Sequence, residues 1–156
     1  MNVVIRKAKL EDLKTIQDLN HALFLSDADK DKKLNHDWPY LETGKEYFKG
    51  AIEGKTGVCF VAEKDNEIVG YLAGSIKFDS SIYRQVRRSE LENMFVTEDC
   101  RGQGIGEKLA KQFIDWSKEN DVTHTFVSAY WLNERAIKFY KRLGFEPLAL
   151  ELEARL

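Results

Sequence analysis

The run Leu91-Glu92-Asn93-Met94-Phe95-Val96, followed by Arg101-Gly102-Gln103-Gly104-Ile105-Gly106, passes from an apolar strand through a glycine turn into a long helix. Ile105, Leu109, Phe113 and Trp116 recur at helical spacing after the turn, with charged residues between them. Glycines at a helix start leave backbone N–H groups without intrahelical partners and without Cβ atoms to cover them. The helix dipole adds partial positive charge at the same end, so the turn is suited to an anion such as phosphate or pyrophosphate.

Known glycine-rich phosphate loops can be tested against the neighbouring residues. A dinucleotide G-x-G-x-x-G starting at Gly102 needs glycine where Glu107 stands, and one starting at Gly104 needs it where Leu109 stands. A P-loop ends in Gly-Lys-Ser/Thr, whereas Gly106 is followed by Glu107-Lys108-Leu109. Both forms fail.

Outward from the turn, Val3 to Ala8 reads as an opening strand and Leu10 to about Phe24 as a helix bearing Leu13, Ile16, Leu19 and Leu23 on one face. Ser26 to Asn35 mixes Asp and Lys and reads as a solvated loop. A short helix is expected from about Lys45 to Ile52. Gly57 to Lys64 and Glu67 to Ser75 form a hairpin across Asp65-Asn66. A polar break from Phe78 to Arg84 precedes the strand ending at Val96. After the helix to about Glu119, His124 to Tyr130 reads as a strand rich in β-formers. Asn133 caps a helix whose face carries Ala136, Phe139, Tyr140 and Leu143, Gly144 ends it, and Phe145 to Leu152 alternates like a last strand.

The 156 residues are read as a single domain, 1–156, able to bury roughly two-thirds of its unfolded surface. The mixture of hairpins and a late β-α-β-α-β run gives an α/β or α+β class with a mixed sheet. A net charge of −2 gives no reason to expect a nucleic-acid partner. No apolar run approaches membrane-spanning length and the N-terminus lacks a secretory pattern, so a cytoplasmic location is expected. Cys59 reads as a buried thiol in an apolar run, and Cys100 as a small neighbour of the glycine turn, where a helix N-terminus favours thiolate. His21, His36 and His124 have no metal-ligand spacing, no G-x-S-x-G occurs, and no metal is expected.

Two blocks carry a family resemblance. Arg101-x-x-Gly104-x-Gly106 is similar to the R/Q-x-x-G-x-G/A acyl-CoA loop of the GNAT superfamily of N-acetyltransferases, with Met94-Phe95-Val96 in place of its supporting Leu-x-Val-like strand end. Asn133, Ala136, Phe139, Tyr140, Gly144 and Phe145 fill a second block of the form N-x-x-A-x-x-F-Y-x-x-x-G-F. The resemblance implies a central mixed, mostly antiparallel sheet flanked by about four helices. It also implies acetyl transfer from acetyl-CoA to a primary amine of a small molecule or peptide, by direct attack on the thioester.

The cofactor residues so implied are Met94, Phe95, Val96, Arg101, Gly102, Gln103, Gly104, Ile105, Gly106, Asn133, Ala136 and Tyr140. Read from its helix face alone, Tyr140 is a core aromatic; its place in the second block makes it the candidate acid at the departing sulfur. Glu92, with Glu90 as same-face neighbour, is the candidate base, directly or through water. Glu107 is expected to point away from the anion site. One of Lys138, Lys141 and Arg142 is a candidate for a cofactor phosphate, while Arg84, Arg87 and Arg88 read as a solvated cluster. The expected partners are acetyl-CoA and an amine, with no nucleic acid or membrane, and a homodimer is compatible with the sequence.

The acceptor site is expected between about Leu23 and Ile52. There Asp27, Asp29, Asp31, Asp37, Glu42, Glu46, Trp38 and Tyr40 suit a cation. Lys30, Lys32, Lys33 and Lys45 equally suit a mixed solvated loop. Polyamine, other small amine and peptide N-terminus stand in that order. The alternative to an enzyme is a catalytically silent acyl-CoA sensor.

Overall fold

The structure is a computed structural model that describes residues 2–78, 84 and 86–156. The polar break expected between Phe78 and Arg84 lies largely outside the described residues. The chain runs β1 (Val3–Lys7), α1 (Leu13–Asp27), α2 (Glu42–Ile52), β2 (Val58–Lys64), β3 (Glu67–Lys77), β4 (Arg88–Val96), α3 (Ile105–Glu119), β5 (His124–Val127) and α4 (Glu134–Arg142). Short 3-10 turns at Leu10–Asp12, Trp38–Tyr40 and Glu98–Cys100 lead into or between these elements.

The five strands form one sheet in chain order. β1 to β4 pair antiparallel and β5 joins β4 parallel. The β2–β3 hairpin closes through Asp65 and Asn66 with φ of 51° and 67°. These residue types tolerate that left-handed region, and the resulting twist matches that of the strands.

Strand alternation sends the core to both faces of the sheet. Val58, Phe60, Ala62, Leu72 and Leu91 pack against Ile105, Leu109, Ala110 and Phe113 of α3. Cys59, Val61, Tyr71 and Ala73 face Ile16 and Leu19 of α1 and Phe48 and Ala51 of α2. Period-2 strands with an apolar residue at nearly every position are what a sheet covered on both sides requires.

Two expected strands are corrected. β5 stops at Val127 rather than running to Tyr130, because β4 turns away from it beyond Leu91, which faces Val127. Ser128 to Tyr130 therefore has no partner backbone to complete a ladder. Phe145 to Leu152 forms no strand either. Its alternating leucines supply one apolar face, but a strand also needs a neighbour's N–H and C=O groups, and among the described residues the sheet ends at β5.

Candidate active site

The site begins where β4 is only half paired. Arg88 to Leu91 pair with His124 to Val127, and the rest of β4 has no neighbour on that side among the described residues. Its other side stays paired with β3 through Val96. Met94, Phe95 and Val96 thus offer one free strand edge of backbone donors and acceptors, the arrangement that takes up an extended ligand as an added strand.

The departure has a local cause. Ala73 pairs with Asn93 and Gly74 with Leu91, so Glu92 is an extra residue in β4. Such a bulge bends its strand and breaks the alternation of side chains. Glu92 and Asn93 accordingly both reach Tyr47 of α2, on the same face.

The glycine turn lies at the end of this edge. Gly102 and Gly104 have φ of +77°, a left-handed conformation that side chains disfavour, and a Cβ at either would project into open space. Gly104 is the N-cap of α3 and has no side chain to satisfy the first amides, which leaves those of Ile105, Gly106 and Glu107 without an intrahelical partner. Arg101 braces the turn. Its Nε donates to the Val96 carbonyl at 2.9 Å, and its guanidinium stacks 5.1 Å from the centre of the Phe95 ring. Gln103 turns outward, its amide donating to the Asp99 carbonyl at 3.1 Å and its oxygen accepting from Lys64 at 3.1 Å. Glu107 points along the helix to Lys111 at 2.5 Å, which holds its carboxyl below the usual range and away from the anion position.

On α4, the Asn133 side chain accepts from the Ala136 amide at 3.1 Å, as a cap should. Tyr140 lies between Phe139 and Phe145, with ring centres 5.1 and 5.6 Å away, and packs against the α3 side of the core. Burial pushes its phenol up to about 12, and its hydroxyl has no hydrogen-bond partner among the described residues. It is a neutral donor with a free O–H. Of the basic residues on α4, Arg142 lines a groove of about 270 Å³ with Glu107, Phe139 and Leu143. Lys138 instead lies 3.7 Å from Glu134.

Glu92 is tightly held. One carboxylate oxygen accepts from the Tyr47 hydroxyl at 2.6 Å, and the other from Ser75 at 2.9 Å and from Lys77 at 2.5 Å. Lys77 also reaches Glu90 at 3.1 Å, so the two glutamates share a face as expected. Burial works against the Lys77 charge, but the bonds from Glu92 and Glu90 outweigh it and raise its pKa. Sequence reasoning missed Tyr47, Ser75 and Lys77, because they come from α2 and β3 and meet Glu92 only through tertiary packing and strand register.

The segment expected to bind a cation is largely self-neutralised. Lys30 lies 3.7 Å from Asp27 and 3.0 Å from Asp29, Lys33 lies 2.9 Å from Asp31, and Lys49 lies 3.3 Å from Glu46. Trp38 is partly buried and packs against the core among Phe24, Tyr47 and Phe48. Tyr40 is more exposed and donates to Asp18 at 2.7 Å. Both cysteines are buried and free, with burial raising the Cys59 thiol; Cys100 lies 3.9 Å from the Lys64 ammonium. Among the described residues no group of three or more His, Cys, Asp or Glu could hold a metal, and no helix is long and apolar enough to cross a membrane.

Comparison with known proteins places this geometry. The model of the acetyltransferase (GNAT) family matches residues 13–145. An uncharacterised N-acetyltransferase of Methanocaldococcus jannaschii is 34% identical over 102 residues, covering 64% of this chain but only 44% of the relative's own length. An N-alpha-acetyltransferase of Sulfurisphaera tokodaii is 28% identical over 149 residues, covering 92% of this chain and 80% of the relative. Among solved structures, an aminoglycoside N-acetyltransferase in complex with CoA superposes with a TM-score of 0.79 at 18% identity, covering 99% of this chain and 95% of that one, a likeness of fold. The family match spans both motif blocks and every described strand from β2 to β5. The chain belongs to the acetyltransferase (GNAT) family.

Proposed function

We propose that this protein transfers an acetyl group from acetyl-CoA to a primary amine of a small molecule or peptide. The half-paired β4 carries the reading, because its free edge ends at a turn whose amides are open to an anion. That combination fits a ligand with an extended amide-bearing arm and a pyrophosphate. Acetyl-CoA supplies an activated acyl group as its thioester.

The chain's own residues divide the remaining work. The amides of Ile105, Gly106 and Glu107, with the α3 dipole, hold the pyrophosphate. Backbone groups of Met94, Phe95 and Val96 pair with the pantetheine arm, and an N–H among them polarises the thioester carbonyl. Asn133 keeps its side-chain N–H₂ for a polar contact to that arm, beside the small Ala136. An alkylamine with pKa near ~10.4 is mostly protonated at pH 7, so its proton must leave. Glu92 accepts that proton, through water where its own bonds stay in place. Tyr140 donates to the departing sulfur, which its unpaired hydroxyl suits.

A peptide N-terminus moves ahead of a polyamine as the acceptor class. Asp27, Asp29, Asp31 and Glu46 of the α1–α2 region are paired with neighbouring lysines, which removes much of their attraction for a polycation. The Sulfurisphaera tokodaii relative, by its name, acts on α-amines. The test is thiol release from acetyl-CoA in the presence of spermidine, free lysine or a short peptide with a free N-terminus. Release that depends on one of these amines supports transfer. Tight acetyl-CoA binding with no amine-dependent release supports a sensor instead.

A further inference from the structure

We propose that Tyr47 and Lys77 are positioning residues for the transfer reaction, clamping the Glu92 carboxylate at the bulge where β4 leaves β5. The inference rests on the reading that Glu92 handles the amine proton.

The clamp is built from three elements. Because Glu92 is the extra residue of the bulge, its side chain and that of Asn93 stand next to each other instead of on opposite faces. Tyr47 of α2 joins them: its hydroxyl donates to Glu92 at 2.6 Å and accepts from the Asn93 side-chain amide at 3.0 Å. Asn93 in turn accepts from Asn20 of α1 at 3.3 Å. The Tyr47 ring is itself fixed, with Trp38 and Phe48 ring centres 5.4 and 4.9 Å away. The phenol therefore sets the position of the carboxylate and does not follow it.

Lys77 closes the clamp from β3. Its ammonium lies 2.5 Å from Glu92 and 3.1 Å from Glu90, so one cation bridges both carboxylates. Without it, two like charges on one face would repel, and Glu92 would be held by the Tyr47 and Ser75 hydroxyls alone. A charge-assisted bond to one oxygen and a phenol bond to the other leave the carboxylate a single orientation. The amine proton then meets a fixed acceptor, with little reorientation needed during reaction.

The experiment is a double-mutant cycle on the whole chain, with acetyl-CoA as donor and the fastest of spermidine, lysine and a free-N-terminal peptide as acceptor, or water if none is used. Tyr47→Phe and Lys77→Met are each expected to lower kcat about tenfold, with the acetyl-CoA KM within about threefold. Neither is expected to slow Glu92→Gln any further, because the clamp has no function once the carboxylate is gone. Lys77→Arg, which keeps the charge, is expected to restore most of the rate. Lys77 is partly exposed, so its variants report even if a Tyr47 variant folds poorly. The clamp is overturned if both variants turn over at the parent rate, or if they slow Glu92→Gln by the same factor as the parent. If Glu92→Gln itself matches the parent, the proton-handling role of Glu92 falls, a result distinct from additivity.

Discussion

Leu91 faces Val127 in the parallel ladder, and β4 then continues through Glu92 to Val96 with its β5-side edge unpaired among the described residues. The residues proposed to hold the donor's extended arm and pyrophosphate, and the candidate base, lie along or at the end of that edge. The bulge residue Glu92 begins it, Met94 to Val96 form it, and the Gly102–Gly106 turn receives it through the Arg101 bond to Val96.

The turn should be sensitive at Gly104 and tolerant at Gly106. Gly104→Val forces a branched side chain into φ of +77°, a cost of about 1–2 kcal/mol, and fills the open space above the amides. Acetyl-CoA affinity is expected to fall at least about tenfold. A Cβ at Gly106 would only touch the Phe139 ring at 3.5 Å, so Gly106→Ala should keep its affinity within about threefold. Calorimetric titration with acetyl-CoA checks both.

Tyr140→Phe removes only the hydroxyl and keeps the ring between Phe139 and Phe145. Turnover should fall roughly ten- to a thousand-fold with acetyl-CoA affinity within a few-fold. Steady-state kinetics beside a binding titration separates the two. Unchanged turnover removes Tyr140 from the mechanism.

Stability should fall on the alkaline side. Burial raises the phenols of Tyr140, to about 12, and of Tyr47 and Tyr71, while in the unfolded chain each titrates near ~10. Above pH ~10 the unfolded chain loses protons that the folded chain keeps, so unfolding becomes easier as pH rises. For Tyr140 that loss runs on to about pH 12. The urea midpoint should fall between pH 9 and pH 11, less steeply in Tyr140→Phe. An unchanged midpoint contradicts the buried phenols.

Leu148, Leu150 and Leu152 alternate along the C-terminal tail and are 80%, 60% and 82% exposed. A second copy of the chain, pairing tail with tail, would cover both sets at once. Sedimentation is expected to give a dimer, and replacing the three leucines by serine a monomer. A monomeric parent at micromolar concentration contradicts this pairing.

What the sequence disclosed followed from local chemistry. Asp65-Asn66 marked the hairpin because those residues accept positive φ, and Asn133 marked the start of α4 because its side chain can cap an amide. The glycine turn was legible for the same reason. The bulge at Glu92 was not, since an extra residue in a strand is defined only by its partner, here Ala73 and Gly74. Tyr47 was hidden with it: on an amphipathic helix it reads as one more core aromatic, and nothing local tells its hydroxyl to meet Glu92. The alternation of Phe145 to Leu152 misled because a strand also depends on an available edge. Trp38, expected as a binding aromatic, is partly buried against core rings, a packing that its sequence context does not disclose.

The central claim, that the open β4 edge and its glycine turn hold acetyl-CoA for transfer to an amine, is tested most directly by titrating acetyl-CoA and then following thiol release on adding the amine panel. One saturable site per chain is expected, weakened at least about tenfold in Gly104→Val, with thiol release that rises with amine concentration. The absence of both a heat of binding and a thermal shift with acetyl-CoA would contradict it.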